Sequence, residues 1–145
     1  MPLAEAPATG RLPFPVPASF PDDLAPFWRL WAEERFWACH EALEDVWRSA
    51  SGPRRLYLNG LIHLAVSVFQ HRRGNPAGAA RQLVRARVKL EEFLPEYEGL
   101  VTGAFLRAVE AEVAPSLAAL SPHQISDLAA LERLVREQVE LGRRG

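Results

Sequence analysis

The residues best suited to chemistry lie in one short stretch, from Phe36 to Trp47. This stretch has apolar residues at helical spacing and also holds a histidine and three acids. On a helical wheel with about 100° per residue, His40 and Glu44 fall inside or beside the apolar face, and Glu41 lies at its far edge. His40 and Glu44 are four residues apart, so their side chains can touch. Because an isolated buried charge is costly, we expect the two to be paired.

A second unusual segment runs from Leu56 to His71. Its apolar residues cover about 200° of the wheel, which is typical of a central helix. The remaining arc has no Asp, Glu, Lys or Arg, so we expect much of it to face another helix. Polar residues form one line on this arc: Asn59, His63, Ser67 and Gln70.

The expected partner of this line is the helix that carries His40 and Glu44, the other helix with polar groups on its core side. The sequence therefore predicts a buried polar cluster between two helices. The candidate site consists of His40, Glu41, Glu44, Asn59, His63 and Gln70.

The sharpest chemical hypothesis for this cluster is a divalent metal site. His40, Glu44 and His63 could supply two nitrogens and a carboxylate, a ligand set used by zinc and by non-haem iron. The segment is not a metalloprotease signature, which needs a second histidine where Glu44 stands. No nucleophile or oxyanion donor completes a catalytic set, so enzymatic activity stays open. We favour a structural network that fixes helix packing over the metal site.

A run of basic residues between His71 and Leu90 contains no acid. Arg81, Arg85 and Lys89 share a helix face, where like charges repel unless they are neutralised. One interpretation is a phosphate- or nucleic-acid-binding face. The other, which we favour, is ion pairing with the acidic first half of the chain. The predicted basic face consists of Arg72, Arg73, Arg81, Arg85 and Lys89.

Composition places the chain among ordinary soluble globular proteins. The 145 residues carry a net charge of −1, which gives no general argument for binding nucleic acid or an anionic membrane. The single cysteine, Cys39, excludes an intrachain disulfide and is predicted to be a small buried hydrophobe. The uncharged stretch Leu56–His71 is too short and too polar to span a bilayer, and no signal peptide is recognisable. We therefore expect a cytoplasmic protein, and a homo-oligomer or a protein partner stays open.

The pattern of the whole chain predicts an all-α fold, a compact bundle-like array of five to six helices. Six prolines in residues 1–21 predict an extended N-terminal arm, and residues 22–145 are expected to form a single helical domain. An acid at Asp22 or Asp23 is expected to cap the first helix. Pro115 is expected to limit the fifth helix.

A clear turn is predicted between the third and fourth helices. Gly74 suits the left-handed position after a helix, Asn75 suits a helix cap, and Pro76 suits a first helical turn.

The run FWACHEALE from Phe36 to Glu44, followed by Trp47, Gly60–Ile62 and Arg72–Asn75, resembles the domain-of-unknown-function family 309. These are small, mostly bacterial and archaeal helical proteins, and the resemblance covers about residues 30–95. It implies a bundle-like fold, a bend between the first two helices and a shared cluster around the Cys-His-Glu segment. It implies no established activity.

Two positions depart from the family pattern. His63 stands where the family leads us to expect glutamine, and Gln70 stands where it leads us to expect histidine. Such an exchange suits a polar network better than a strict catalytic role. We therefore expect a small soluble helical protein whose cluster has a structural or binding role rather than a catalytic one.

Overall fold

A computed structural model describes residues 16–144, which form six α-helices and no β-strand. They are α1 (Ala25–Ala32), α2 (Phe36–Ser49), α3 (Gly52–Arg72), α4 (Pro76–Leu90), α5 (Thr102–Ala118) and α6 (Pro122–Arg144). Short 3-10 turns precede α1 at Asp22–Leu24 and follow α4 at Glu91–Phe93. The all-α prediction is confirmed. Within this part of the chain, no helix is long and apolar enough to cross a membrane.

The central helix is α3, as its wide apolar arc predicts. It packs against α2, α4 and α5, and Leu58, Leu61, Leu64 and Val68 are fully buried on it. In turn, α4 packs against α5 and α6, and α1 packs against α2. The main contacts therefore run in the order α1, α2, α3, α4 and α6, with α5 lying against both α3 and α4.

The chain bends sharply between α1 and α2, as the family resemblance implies. Glu34 has a positive φ of 58° at this bend and is only 4% exposed. The bend brings the indole of Trp31 edge-on to the ring of Phe36, with 5.0 Å between ring centroids. The predicted acidic cap is wrong, because Leu24 occupies the cap position of α1 and the acids at 22 and 23 lie in the preceding 3-10 turn.

The predicted turn between α3 and α4 is confirmed residue by residue. Gly74 has a φ of 79°, a conformation that side chains disfavour. The Asn75 side-chain oxygen accepts a hydrogen bond from the backbone N–H of Gly78 at 3.1 Å, and Pro76 begins α4. Local chemistry alone therefore fixes where α4 begins.

The fifth helix is longer than predicted, because Pro115 lies inside it rather than at its end. Proline removes one backbone hydrogen bond, to the carbonyl four residues earlier. That carbonyl belongs to Ala111, at an exposed position where water can satisfy it. Just beyond the proline, Ser116 is buried and contacts His71 of α3, which holds the last turn in place.

Aromatic residues of α1, α2 and α5 fill one end of the core. Trp28 and Trp31 are buried there and stack against Phe105. Cys39 is fully buried, as predicted, and its thiol donates to the carbonyl oxygen of Phe27 at 3.3 Å.

The chain before α1 also contributes to this core, because Val16 and Phe20 pack against it. Residues 1–15, which include most of the predicted extended arm, lie outside the described residues.

Candidate functional site

The predicted histidine and glutamate of α2 contact each other. His40 Nε2 lies 2.8 Å from Glu44 Oε1, and His40 Nδ1 lies 2.7 Å from the carbonyl oxygen of Trp37. The His40 ring also packs on the Trp37 indole, with 4.2 Å between ring centroids. Both ring nitrogens are therefore engaged within α2, and neither is left for a ligand. Glu41 is exposed on another side of the helix.

The polar line of α3 does not face α2. Its side chains contact α4 and the turn before it, so the predicted cluster between two helices lies between α3 and α4. The helical wheel identified the arc that is covered, but a wheel carries no information about which neighbour covers it. The contacts are Asn59 and His63 with Lys89, Ser67 with Ala79, and Gln70 with Asn75.

The predicted metal site does not form. His63 is turned toward the Lys89 ammonium group, whose positive charge opposes cation binding, while His40 and Glu44 are satisfied within α2. Across the described part of the chain, no group of three or more His, Cys, Asp or Glu side chains is placed to hold a metal ion. The predicted ligands His40, Glu44 and His63 therefore belong to two separate polar contacts, His40 with Glu44 and His63 with Lys89.

The polar group with the most unusual chemistry consists of Asn59, His63, Gln82 and Lys89, which we call the Lys89 cluster. His63 Nδ1 lies 2.6 Å from Gln82 Oε1, an acceptor, so Nδ1 carries the ring proton. Nε2 is then the acceptor, and Lys89 Nζ donates to it at 3.0 Å. Asn59 Oδ1 accepts a second hydrogen bond from Lys89 Nζ. The chain's only lysine is thus held by two neutral acceptors.

Burial shifts both ionisable groups of the cluster toward their neutral forms. Burial, together with the neighbouring Lys89 charge, lowers the pKa of His63 from 6.5 to about 4. Burial also lowers the pKa of Lys89, with a second contribution from the charge of Arg85. Within the described residues, no carboxylate lies within ion-pairing distance of Lys89 to offset these effects.

This depressed histidine pKa predicts a pH-dependent stability. The unfolded chain binds a proton at His63 near pH 6.5, whereas the folded protein resists it until about pH 4. The free energy of unfolding should therefore fall as the pH decreases through this window, by at most about 1.4 kcal/mol per pH unit. Denaturant titrations of the wild type and His63→Gln at several pH values measure this. The variant should show a shallower slope, and equal slopes would contradict the assignment.

The Lys89 cluster opens onto a cleft of about 690 Å³. Its apolar wall is formed by Trp47 at the end of α2, Leu56 on α3 and Val139 on α6. Trp47 is only half-buried, and the Arg55 guanidinium lies 3.9 Å above its ring. The polar wall is formed by Asn59, Lys89, Glu92, Gln138 and Arg143.

The predicted basic face divides into residues with different roles. Arg72 points into the molecule and pairs with Glu34, as the favoured interpretation expects. Arg73 is exposed at the end of α3. Arg81 and Arg85 form no ion pair with any described residue, and with Lys89 they follow one edge of α4.

The Arg72–Glu34 pair belongs to a larger ionic cluster at the end of α3, which we call the Arg72 cluster, and sequence reasoning missed its contacts with α5. The Arg72 guanidinium lies 2.6 Å from Glu34 Oε1 and 3.4 Å from Glu112 Oε2. His71 lies beside it, with Nδ1 2.7 Å from the hydroxyl oxygen of Ser116. These contacts join the α1–α2 bend, α3 and α5. Because they link residues about 40 positions apart, no local pattern could have identified them.

Comparison with known proteins finds relatives without an assigned activity. The chain is 39% identical over 56 residues to the uncharacterized protein YpuF of Bacillus subtilis (strain 168). The aligned residues are 38% of this chain and 32% of that protein, so the chain spans about a third of the relative's length. No solved structure is significantly similar to the chain.

The family comparison covers the first four helices in part. The model of a domain of unknown function, DUF309, matches residues 24–82, from the start of α1 to the middle of α4. Lys89 and the α6 wall of the cleft lie beyond the matched segment. Over residues 24–82, the chain is similar to the DUF309 family.

Proposed function

We propose that this protein binds a small amphipathic molecule in the cleft beside Lys89, with the polar end of the molecule on Lys89 Nζ. One observation carries the proposal. A half-buried amine, held by two neutral acceptors and approached by no described carboxylate, lies in the wall of a cleft of about 690 Å³. This volume lies in the range typical of small-molecule sites.

The burial of Lys89 among neutral acceptors lowers the stability of the folded protein when no ligand is bound. A lysine whose charged form is disfavoured by burial and by Arg85 contributes less to stability than an apolar side chain of similar size would. A ligand oxygen that accepts the remaining N–H of the ammonium group would recover a charge-assisted hydrogen bond. The Lys89 cluster is therefore better explained as a binding site than as a packing device.

The rest of the cleft suits the apolar part of such a molecule. The Trp47 indole and the side chains of Leu56 and Val139 offer a face for an aromatic or aliphatic body. The acid on the rim, Glu92, is already paired with Arg143 at 3.0 Å, so it does not repel an anionic group at Lys89. The ligand class that fits is an apolar body with one anionic or carbonyl oxygen group.

The test uses 8-anilinonaphthalene-1-sulfonate, an aromatic anion that matches this description, and follows its emission during titration of the folded protein. We expect one saturable site. Lys89→Met should weaken binding about tenfold or more, since a charge-assisted hydrogen bond contributes about 1.5–3 kcal/mol. Lys89→Arg keeps the cation and should stay within about threefold of the wild type.

Two further variants locate the site. Val139→Trp fills the cleft and should abolish saturable binding, whereas Leu134→Ser changes an exposed residue on α6 that does not line the cleft and should leave binding unchanged. Each variant must first show cooperative thermal unfolding, because the probe also binds loosely packed states. Wild-type affinity in both Lys89→Met and Val139→Trp would overturn the proposal.

A further inference from the structure

The hydrogen bonds of Lys89 suit a neutral amine as well as an ammonium group. A neutral amine has two N–H bonds and one lone pair. Asn59 Oδ1 and His63 Nε2 are both acceptors, so they take the two N–H bonds. The lone pair then occupies the remaining tetrahedral direction of Nζ, which no described residue uses for a hydrogen bond. An amine whose lone pair is left over in a ligand cleft is a nucleophile.

The surroundings also favour the neutral amine. Burial and the nearby Arg85 charge lower the pKa of Lys89, and the adjacent His63 ring is held in its neutral form. The cleft rim also carries one acid, Glu92, and two cations, Arg55 and Arg143. Glu92 is engaged in an ion pair with Arg143. The charged and titratable groups around Nζ are His63 and Arg55 on α3, Arg85 on α4, Glu92 after α4, and Arg143 on α6.

We propose that Lys89 forms a reversible imine with an aldehyde-bearing molecule bound in the cleft. This inference rests on the binding site proposed above and names its ligand class. The carbonyl oxygen is the polar group, and the apolar wall holds the body of the aldehyde. The side chain of Trp47 provides the aromatic surface on which a ring beside the carbonyl can pack.

The chemistry balances without a redox partner. The Nζ lone pair attacks the carbonyl carbon, a C–N bond forms, and the π electrons of the carbonyl move to its oxygen. His63 Nε2, 3.0 Å from Nζ, carries the two N–H protons of the adduct in turn from the nitrogen to that oxygen. Loss of the oxygen as water leaves a C=N bond. The net reaction converts one amine and one aldehyde into one imine and one water.

The composition of this chain makes the test unambiguous, because Lys89 is its only lysine. The folded protein is incubated at pH 7 with benzaldehyde and sodium cyanoborohydride, which reduces an imine to a stable benzylamine. Intact mass and peptide mapping then locate the adduct. We expect Lys89 to be labelled about tenfold or more faster than the same lysine in a denatured sample, because the cleft holds the aldehyde beside Nζ and burial lowers the pKa of Lys89.

Two variants test two parts of the proposal separately: the amine of Lys89 and the proton transfer by His63. Lys89→Arg removes the side-chain amine but keeps the terminal amine, so only the terminal amine should be labelled. His63→Gln keeps a hydrogen-bond acceptor but cannot carry a proton, so labelling at residue 89 should slow about tenfold.

The outcomes distinguish the two proposals. Probe binding together with fast labelling at Lys89 supports both. Probe binding with labelling no faster than in the denatured sample overturns the imine and leaves the binding site intact. Loss of saturable probe binding with slow labelling overturns both. Fast labelling that His63→Gln does not slow removes the proton-transfer role of His63 from the proposal.

Discussion

Replacing Arg72 by methionine is expected to lower the free energy of unfolding by about 3–5 kcal/mol. The side chain of Glu34 is only 3% exposed, and the Arg72 guanidinium lies 2.6 Å from its carboxylate. Methionine fills similar volume but removes the charge that compensates the buried acid, and it also removes the contact to Glu112. Urea unfolding followed by circular dichroism measures the loss.

The double variant Arg72→Met with Glu34→Gln is the matched control. It removes the buried carboxylate charge along with the Arg72 charge that pairs with it, so it should recover much of the stability lost in the single variant. Arg48→Met, which changes an exposed arginine of α2 with surface ion pairs, should cost less than about 1 kcal/mol. A loss below about 1 kcal/mol for Arg72→Met would mean that the Arg72 cluster does not anchor the α1–α2 bend.

Gly60→Val is expected to cost about 2–3 kcal/mol of stability and to disturb the Lys89 cluster. Gly60 lies on α3 against Leu90 of α4, and a Cβ there would come 2.6 Å from Cγ of Leu90. Leu90 is fully buried, so we expect the end of α4 to move outward. Lys89 precedes Leu90 in the chain and would move with it.

Gly142→Val is the control for this change, because a Cβ at Gly142 in α6 meets nothing within 4 Å. Thermal unfolding should show little change, within about 0.5 kcal/mol, since valine is a slightly better helix former than glycine. The contrast between the two variants isolates the α3–α4 approach from helix propensity. Equal melting temperatures for both variants would contradict the expected clash between α3 and α4 at Gly60.

The features that sequence reasoning predicted well are those fixed by local chemistry. The turn around Gly74 and Asn75 depends on a left-handed glycine and a side-chain cap within four residues, and it appears as expected. The central position of α3 was predicted from its apolar arc, which is so wide that the helix must be buried on several sides. Pro115 misled the prediction of α5, because a tertiary contact at Ser116 outweighs one missing backbone hydrogen bond.

The candidate site was harder to predict because it depends on which helices become neighbours. The line from Asn59 to Gln70 was recognised as covered, but its partner is α4, where lysine and glutamine complete the cluster. Sequence reasoning assigned Lys89 only to the basic face, because lysines are rarely buried. Nothing in the local sequence indicates that Lys89 is an exception. The cleft itself also needs α6, because Val139 of α6 lines it together with Trp47, about 90 residues earlier in the sequence.

A ¹H–¹⁵N NMR titration of the folded chain with 8-anilinonaphthalene-1-sulfonate tests whether the cleft beside Lys89 is a binding site. We expect saturable shifts only at the residues around the cleft, including the indole N–H of Trp47 and the amides near Asn59, Lys89 and Val139. The indole N–H of the buried Trp28 should not move. Shifts that are spread evenly over the surface, or centred away from Lys89, would show that the cleft is not the binding site.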